Sequence, residues 1–224
     1  MVGNSVPSGI LLSSSFLNPN FRSGRSMVGG RNREFDETEA LDLAMRVFWK
    51  QGYSGASLAS LTSSMGINKP SMYSAFGNKE ALFILATEHY VQTYTAHHLG
   101  LLNQDGMPLS ERISAYLYAS AKMHFDNDSP PGCFFATSMT DAASGLLPEA
   151  ALTTLTNTQN SLRDYLLQFF EQEHQSERLP DKISPKVAAD FLLTLLYGCA
   201  SMARADGSLS DMKKSIDLAL QVFK

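Results

Sequence analysis

The sequence predicts an all-α fold, an N-terminal three-helix helix-turn-helix domain followed by a larger helical domain, about nine helices together. Three observations carry this expectation. Apolar residues recur at helical spacing through most of the chain, as on helices that bury one face. Ser, Asn and Asp stand before such runs and Gly or Pro after them, where helices start and stop. Strand-like alternation joined by hairpin turns is found nowhere. At 224 residues the chain is long enough for a large core, as one domain or two.

Residues 1–33 differ in kind. They are rich in Ser, Asn, Gly and Pro, hold no acidic residue, and hold no basic one before Arg22, a composition that predicts a disordered extension. Met27 offers an alternative start. The first helix is predicted from Asp36 to Gln51, with Ala40, Ala44, Val47 and Phe48 on one face and Gly52 as its stop. Two short helices follow, then a long one from Lys79 to about Gly100. Leu109 to Phe125 forms the next, closed by the D-N-D-S-P-P-G breaker at Asp126 to Gly132. Cys133 to Ala143 is short and nearly uncharged. Pro148 opens a helix to about His174 that carries Leu155, Leu162, Tyr165, Leu166 and Phe169. Ser184 and Pro185 pair a cap with a first-turn proline and lead a helix to about Arg204. The last runs from Ser210 to Phe223. This divides the chain into an extension (1–33), a head (34–80) and a body (81–224).

The stretch from Ser57 to Glu80 is the most informative. Ser57 can cap a helix on which Leu58, Leu61 and Met65 share a face. Gly66 can take the positive φ that closes a tight turn. Asn68 is a second cap, and Pro70 falls in a first turn, where its missing N–H removes no helical bond. Met72, Tyr73 and Phe76 are expected to anchor this second helix, leaving Lys69, Ser71 and Ser74 outward. Two short helices joined by a Gly turn form the unit that lays its second helix in a DNA major groove. The same spacing also suits an ordinary helical hairpin.

The run G-I-N-K-P-S-M-Y-S-A-F-G-N-K-E-A-L-F, together with the upstream A-L-D-L-A-M-R-V-F-W-K-Q-G-Y-S-G-A-S-L, resembles the head of the TetR/AcrR family of transcriptional regulators. The match covers Ala40 to Phe83, with Gly, Tyr, Phe and Lys at the family spacing. The resemblance implies that Tyr73, Lys79 and Ser57 contact DNA phosphates, and that Lys69, Pro70 and Ser71 lead the recognition helix, with Asn68 and Ser74 beside them. Pro70, Thr62 and the pair Ser74 and Ala75 depart from the family's usual residues. Fewer cations there mean a shallower salt dependence. Arg22, Arg25, Arg31 and Arg33 could form an arm that touches the minor groove.

The resemblance further implies a homodimer through the last two helices, a double-stranded DNA operator, a small-molecule effector and a cytoplasmic location. The apolar penultimate helix suits that interface, and Ala188, Ala189, Gly198, Cys199, Ala200 and Ser201 are small enough for close approach. Tyr90, Tyr94, Met123, Phe125, Phe134, Phe135, Met139 and Tyr165 are the candidate pocket walls, although such stripes equally make plain core. They favour an apolar or aromatic effector. Cys133, after Pro-Pro-Gly at a helix start, is a candidate redox or electrophile sensor.

Charge agrees with a DNA-contacting head. Residues 22–80 hold 8 basic and 6 acidic groups, whereas 81–224 hold 10 and 16. Two cysteines argue against a disulfide-dense fold, and no run of 18 apolar residues predicts a membrane span. No metal, cofactor or catalytic motif is present, and the adjacent His97 and His98 make a poor metal pair. The competing expectation is a helical small-molecule-binding or adaptor protein that has lost operator binding.

Overall fold

The computed structural model describes residues 35–224; the N-terminal extension and its arginine arm lie outside the described residues. Among the described residues every regular element is helical. Helix α1 spans Glu37–Gly55, and the Asp36 carboxylate caps it by accepting from the N–H groups of Thr38 and Glu39. Gly52 interrupts its helical backbone at φ 74°, ψ 176°, as its reading as a stop anticipates. Helices α2 (Leu58–Met65) and α3 (Lys69–Phe76) complete the head.

The fourth helix is longer and less regular than expected. It comprises α4 (Lys79–Tyr90), one π-helical turn (Val91–Thr95), α5 (Ala96–Leu99) and a 3₁₀ turn (Gly100–Asn103). The body continues with α6 (Leu109–His124), α7 (Phe134–Ala143), α8 (Glu149–Gln175), α9 (Pro185–Arg204) and α10 (Leu209–Ala219), which ends in a 3₁₀ turn (Leu220–Phe223). Counting the fourth as one rod, the described residues make nine helices.

Two apolar clusters hold the fold, and their border does not follow residue 80. The first joins α1, α2 and α3 to Leu82, Phe83, Ala86 and Tyr90 of α4, Phe134 and Phe135 of α7, and Ala151 and Leu155 of α8. Trp49 lies edge-on to both Tyr90 and Tyr94, and Phe134 stacks between Phe83 and Tyr90. The second cluster packs α6, α8, α9 and α10 around Ile113, Leu166, Phe170, Leu192 and Ile216. Helix α9 has a mean hydropathy of 1.3 over its most apolar window, and Ala188, Ala189, Leu192, Cys199 and Ala200 bury one side of it.

A buried ion cluster pins the connection between the rod and α6. Arg112 and Glu173 pair at 2.5 Å, and Arg178 adds a second guanidinium at 2.7 Å from the same carboxylate. Arg112 also donates to the carbonyl oxygens of Leu102 and Met107. Burial pushes the Glu173 carboxyl up, but bonds from Arg178 and Arg112 outweigh it and hold it below its ordinary value.

Candidate nucleic-acid interface and effector cavity

Three helix N-termini build the first site. The Ser57 hydroxyl accepts from the Ser60 N–H at 2.9 Å, Asn68 Oδ1 from the Ser71 N–H at 2.9 Å, and Asn78 Oδ1 from the Ala81 N–H at 2.8 Å. Gly66 closes the α2–α3 turn at φ 66°. Met72 and Phe76 are buried and seat α3, while Asn68, Lys69, Pro70 and Ser74 are exposed and Ser71 is half-buried. Tyr73 departs from its expected anchoring role. It is 46% exposed, because its position faces away from the side that Met72 and Phe76 bury. Lys79 lies over the Tyr53 ring, 4.3 Å from its centroid, and burial pulls its ammonium down despite the nearby Asp141. Capped N-termini, outward hydroxyls and two lysines make a surface that can receive phosphates.

This surface is tied to the body at the end of α1. Asp141 of α7 accepts from the Ser54 hydroxyl at 2.6 Å and from the Ser54 N–H at 3.2 Å. Arg46 of α1 pairs with Asp42, donates to Tyr94 of the π turn, and reaches the Asp128 carbonyl in the loop before α7. The backbone just upstream of the Ser57 cap is therefore held by α7.

The second site is a partly open cavity of about 80 Å³ lined by the rod, α6, α7, α8 and α9. Tyr90, Met123, Phe135 and Tyr165 line it, as expected, and so does Cys133. Tyr94, Phe125, Phe134 and Met139 do not. Tyr94 is turned toward Arg46 and Trp49, and Phe134 is consumed in the first cluster. Phe125 forms the C-cap of α6, and Met139, 36% exposed, lines a separate groove with Gln159 and Arg163 of α8 and Asp190 and Thr194 of α9. Tyr116, His124, Leu193, Leu196 and Tyr197 are walls that the sequence reading missed. Tyr116, Ser120, Met123 and His124 fall on one face of α6, a period that could have marked them.

Cys133 does not have the lowered pKa that its place at a helix start predicts. Burial pushes the thiol up, and the Tyr90 hydroxyl donates to its sulfur at 3.5 Å without reversing that. Cys199 is buried in α9, its thiol pushed up to about 11 by burial.

The fold and the three-cap surface define a helix-turn-helix DNA-binding transcriptional regulator. Residues 40–86 match the model of the bacterial regulatory proteins of the tetR family. The head of the chain thus carries the tetR-family signature. The chain is 28% identical over 196 residues to the HTH-type transcriptional repressor ComR of Escherichia coli K12, covering 87% of this chain and 91% of ComR. It is 26% identical to the HTH-type transcriptional repressor BdcR of the same organism, covering 89% of this chain and 95% of BdcR. Among solved structures, a cysteine mutant of the TetR family regulator CifR, complexed with 26-bp double-strand operator DNA, superposes with a TM-score of 0.78 at 28% identity, covering 87% of this chain and all of that one.

Proposed function

We propose that this protein is a homodimeric repressor that binds a palindromic operator and releases it when a small apolar or aromatic effector enters the cavity. One observation carries the reading. The rod whose N-terminus bears Lys79 also forms a cavity wall through Tyr90, Val91 and Thr95, so one element touches both sites. Occupancy that moves α4 and α7 would change the distance between recognition helices in a dimer, which must match half-sites roughly 34–36 Å apart. A coupling of about 1–3 kcal/mol changes operator affinity roughly 5- to 150-fold. The repressor relatives and the operator-bound CifR support this assignment. Such a protein works in the cytoplasm, beside the chromosome.

The residues proposed to meet DNA are Ser57, Asn68, Lys69, Pro70, Ser71, Tyr73, Ser74 and Lys79. Tyr73→Phe removes one hydroxyl-to-phosphate bond per protomer, at about 1.5 kcal/mol each, so operator affinity should fall roughly a hundredfold. Lys79→Ala should flatten the dimer's salt slope by about two units. Both are read by titrating the protein with its own upstream intergenic DNA across a salt series, with scrambled duplex as control. Unchanged affinity and slope would refute the contact assignment. Equal, feeble binding to both duplexes would instead favour a ligand-binding or adaptor protein that has lost its operator.

The dimer is proposed to form through α9 and α10. Val187, Tyr197 and Met202 of α9 and Leu218 of α10 are exposed apolar side chains on these helices, and Leu218 is 76% exposed. The small residues divide: Gly198 and Ser201 are exposed, whereas Ala188, Ala189, Cys199 and Ala200 are used within the protomer. Leu218→Glu places a charge in the proposed interface and should raise the dimer dissociation constant at least tenfold, as measured by sedimentation equilibrium. A wild-type chain that is monomeric at micromolar concentration would refute the interface.

A further inference from the structure

The cavity carries polar groups without partners. His124 is 4% exposed and lines the cavity. Its Nδ1 lies 3.0 Å from the Gly132 carbonyl oxygen, which can only accept, so Nδ1 carries the ring hydrogen. Burial pulls this imidazole down to about 4, so at neutral pH it is uncharged and Nε2 is a bare lone pair. Among the described residues Nε2 has no hydrogen-bond partner. Tyr116 repeats the pattern two turns away on α6. It is 3% exposed, lines the same cavity, and its hydroxyl finds no partner among the described residues. Neither atom is sealed away from the cavity, so both remain open to hydrogen bonds from an occupant.

The walls also restrict the charge of an occupant. No Lys, Arg, Asp or Glu lines the cavity, and with His124 neutral there is no ion to pair with a carboxylate or an ammonium. Tyr90, Phe135 and Tyr165 supply aromatic surface for a ring.

We infer that the effector is an uncharged aromatic molecule bearing a hydrogen-bond donor, of the phenol class, whose O–H is received by His124 Nε2. This rests on the cavity being the effector site and adds to it the polar group that selects the ligand. Tyr116, about 12 Å further along the same helix by the α-helical rise, offers a second polar point, separate from the first.

The test compares three probes of similar shape by calorimetry on the full-length protein at pH 7.5: 4-methylphenol, its methyl ether and 4-methylbenzoate. The phenol should bind at least tenfold more tightly than the ether, which keeps the ring and lacks the donor, and the benzoate should not bind. His124→Phe keeps a ring in place and removes the acceptor, so it should abolish the preference for phenol over ether while both still bind. Equal binding of phenol and ether to the wild-type protein overturns the inference and leaves the cavity reading standing. Tight binding of the benzoate overturns the uncharged class. Failure of all three to bind removes the cavity reading, and this inference with it. Should His124→Phe not fold, the wild-type preference for phenol over ether decides alone.

Discussion

Arg112→Met is expected to lower the unfolding free energy by about 3–5 kcal/mol, the usual cost of stripping one partner from a buried ion pair. The substitution preserves most of the apolar volume but leaves the Glu173 carboxylate with Arg178 alone, whose side chain is half exposed. It also orphans the carbonyl oxygens of Leu102 and Met107, which receive hydrogen bonds from the same guanidinium. Replacing Glu173 by Leu in the same background should restore much of the loss, since a pair of apolar residues carries no uncompensated charge. Urea unfolding at fixed protomer concentration measures both. The cluster also has a pH signature. Glu173 has a folded pKa below its unfolded one, so its contribution is full above the unfolded carboxylate value of about 4.3. It is lost as pH falls through the lower folded value. Arg112→Met should therefore shrink the difference in stability between pH 7 and pH 3, and an unchanged difference would exclude this cluster as its source.

Gly52→Ala is the second large effect. Its backbone, at φ 74° and ψ 176°, occupies a region that is essentially reserved for glycine, at about 1–3 kcal/mol for any other residue. A Cβ there would also stand 2.5 Å from Asp141 Oδ2, the oxygen that accepts from the Ser54 N–H. Moving that carboxylate away adds about 1–3 kcal/mol of overpacking. The combined loss is expected to exceed that of Asp141→Asn, which keeps the shape and weakens only the bonds. Because Ser54 lies three residues before the Ser57 cap, Asp141→Asn should also alter operator affinity without touching DNA. Thermal unfolding and operator titration on the same preparations separate the two effects. Wild-type stability in Gly52→Ala would mean that α1 does not bend there.

Local chemistry was legible in the chain, and long-range packing was not. Ser57, Gly66 and Asn68 announce their caps and turn because each acts on atoms within three residues of itself. Helices α6 to α9 start and stop close to where prolines, serines and the Pro-Pro-Gly breaker place them. The cavity was half legible. Tyr90, Met123, Phe135 and Tyr165 face it, but the equally aromatic Tyr94 and Phe134 are spent on α1. Nothing in composition separates an aromatic wall from an aromatic core, because which side of the rod α1 covers is decided by tertiary packing. His124 is not legible in the sequence because a lone histidine carries no spacing signal; only its carbonyl partner and its place at the cavity give it meaning. Tyr73 reads as an anchor from its apolar ring and as a phosphate contact only by resemblance, and at 46% exposure it does not anchor.

The π-helical turn at Val91–Thr95 gives the fourth helix the mechanics of a lever. Its long arm is α4, whose 12 residues reach roughly 18 Å to Lys79 at the α-helical rise. Val91 and Thr95 sit in the pivot and face the cavity, so an occupant would press on a turn whose regular α-helical hydrogen-bond ladder is already broken. A tilt of about 6° there swings the tip by roughly 2 Å by simple trigonometry on that arm. In the proposed dimer, two such swings opposed across the two-fold axis would amount to roughly 4 Å, on the order of one base-pair step. In the proposed dimer, a small push in the interior would thus become an error of about one rung in the pitch offered to DNA.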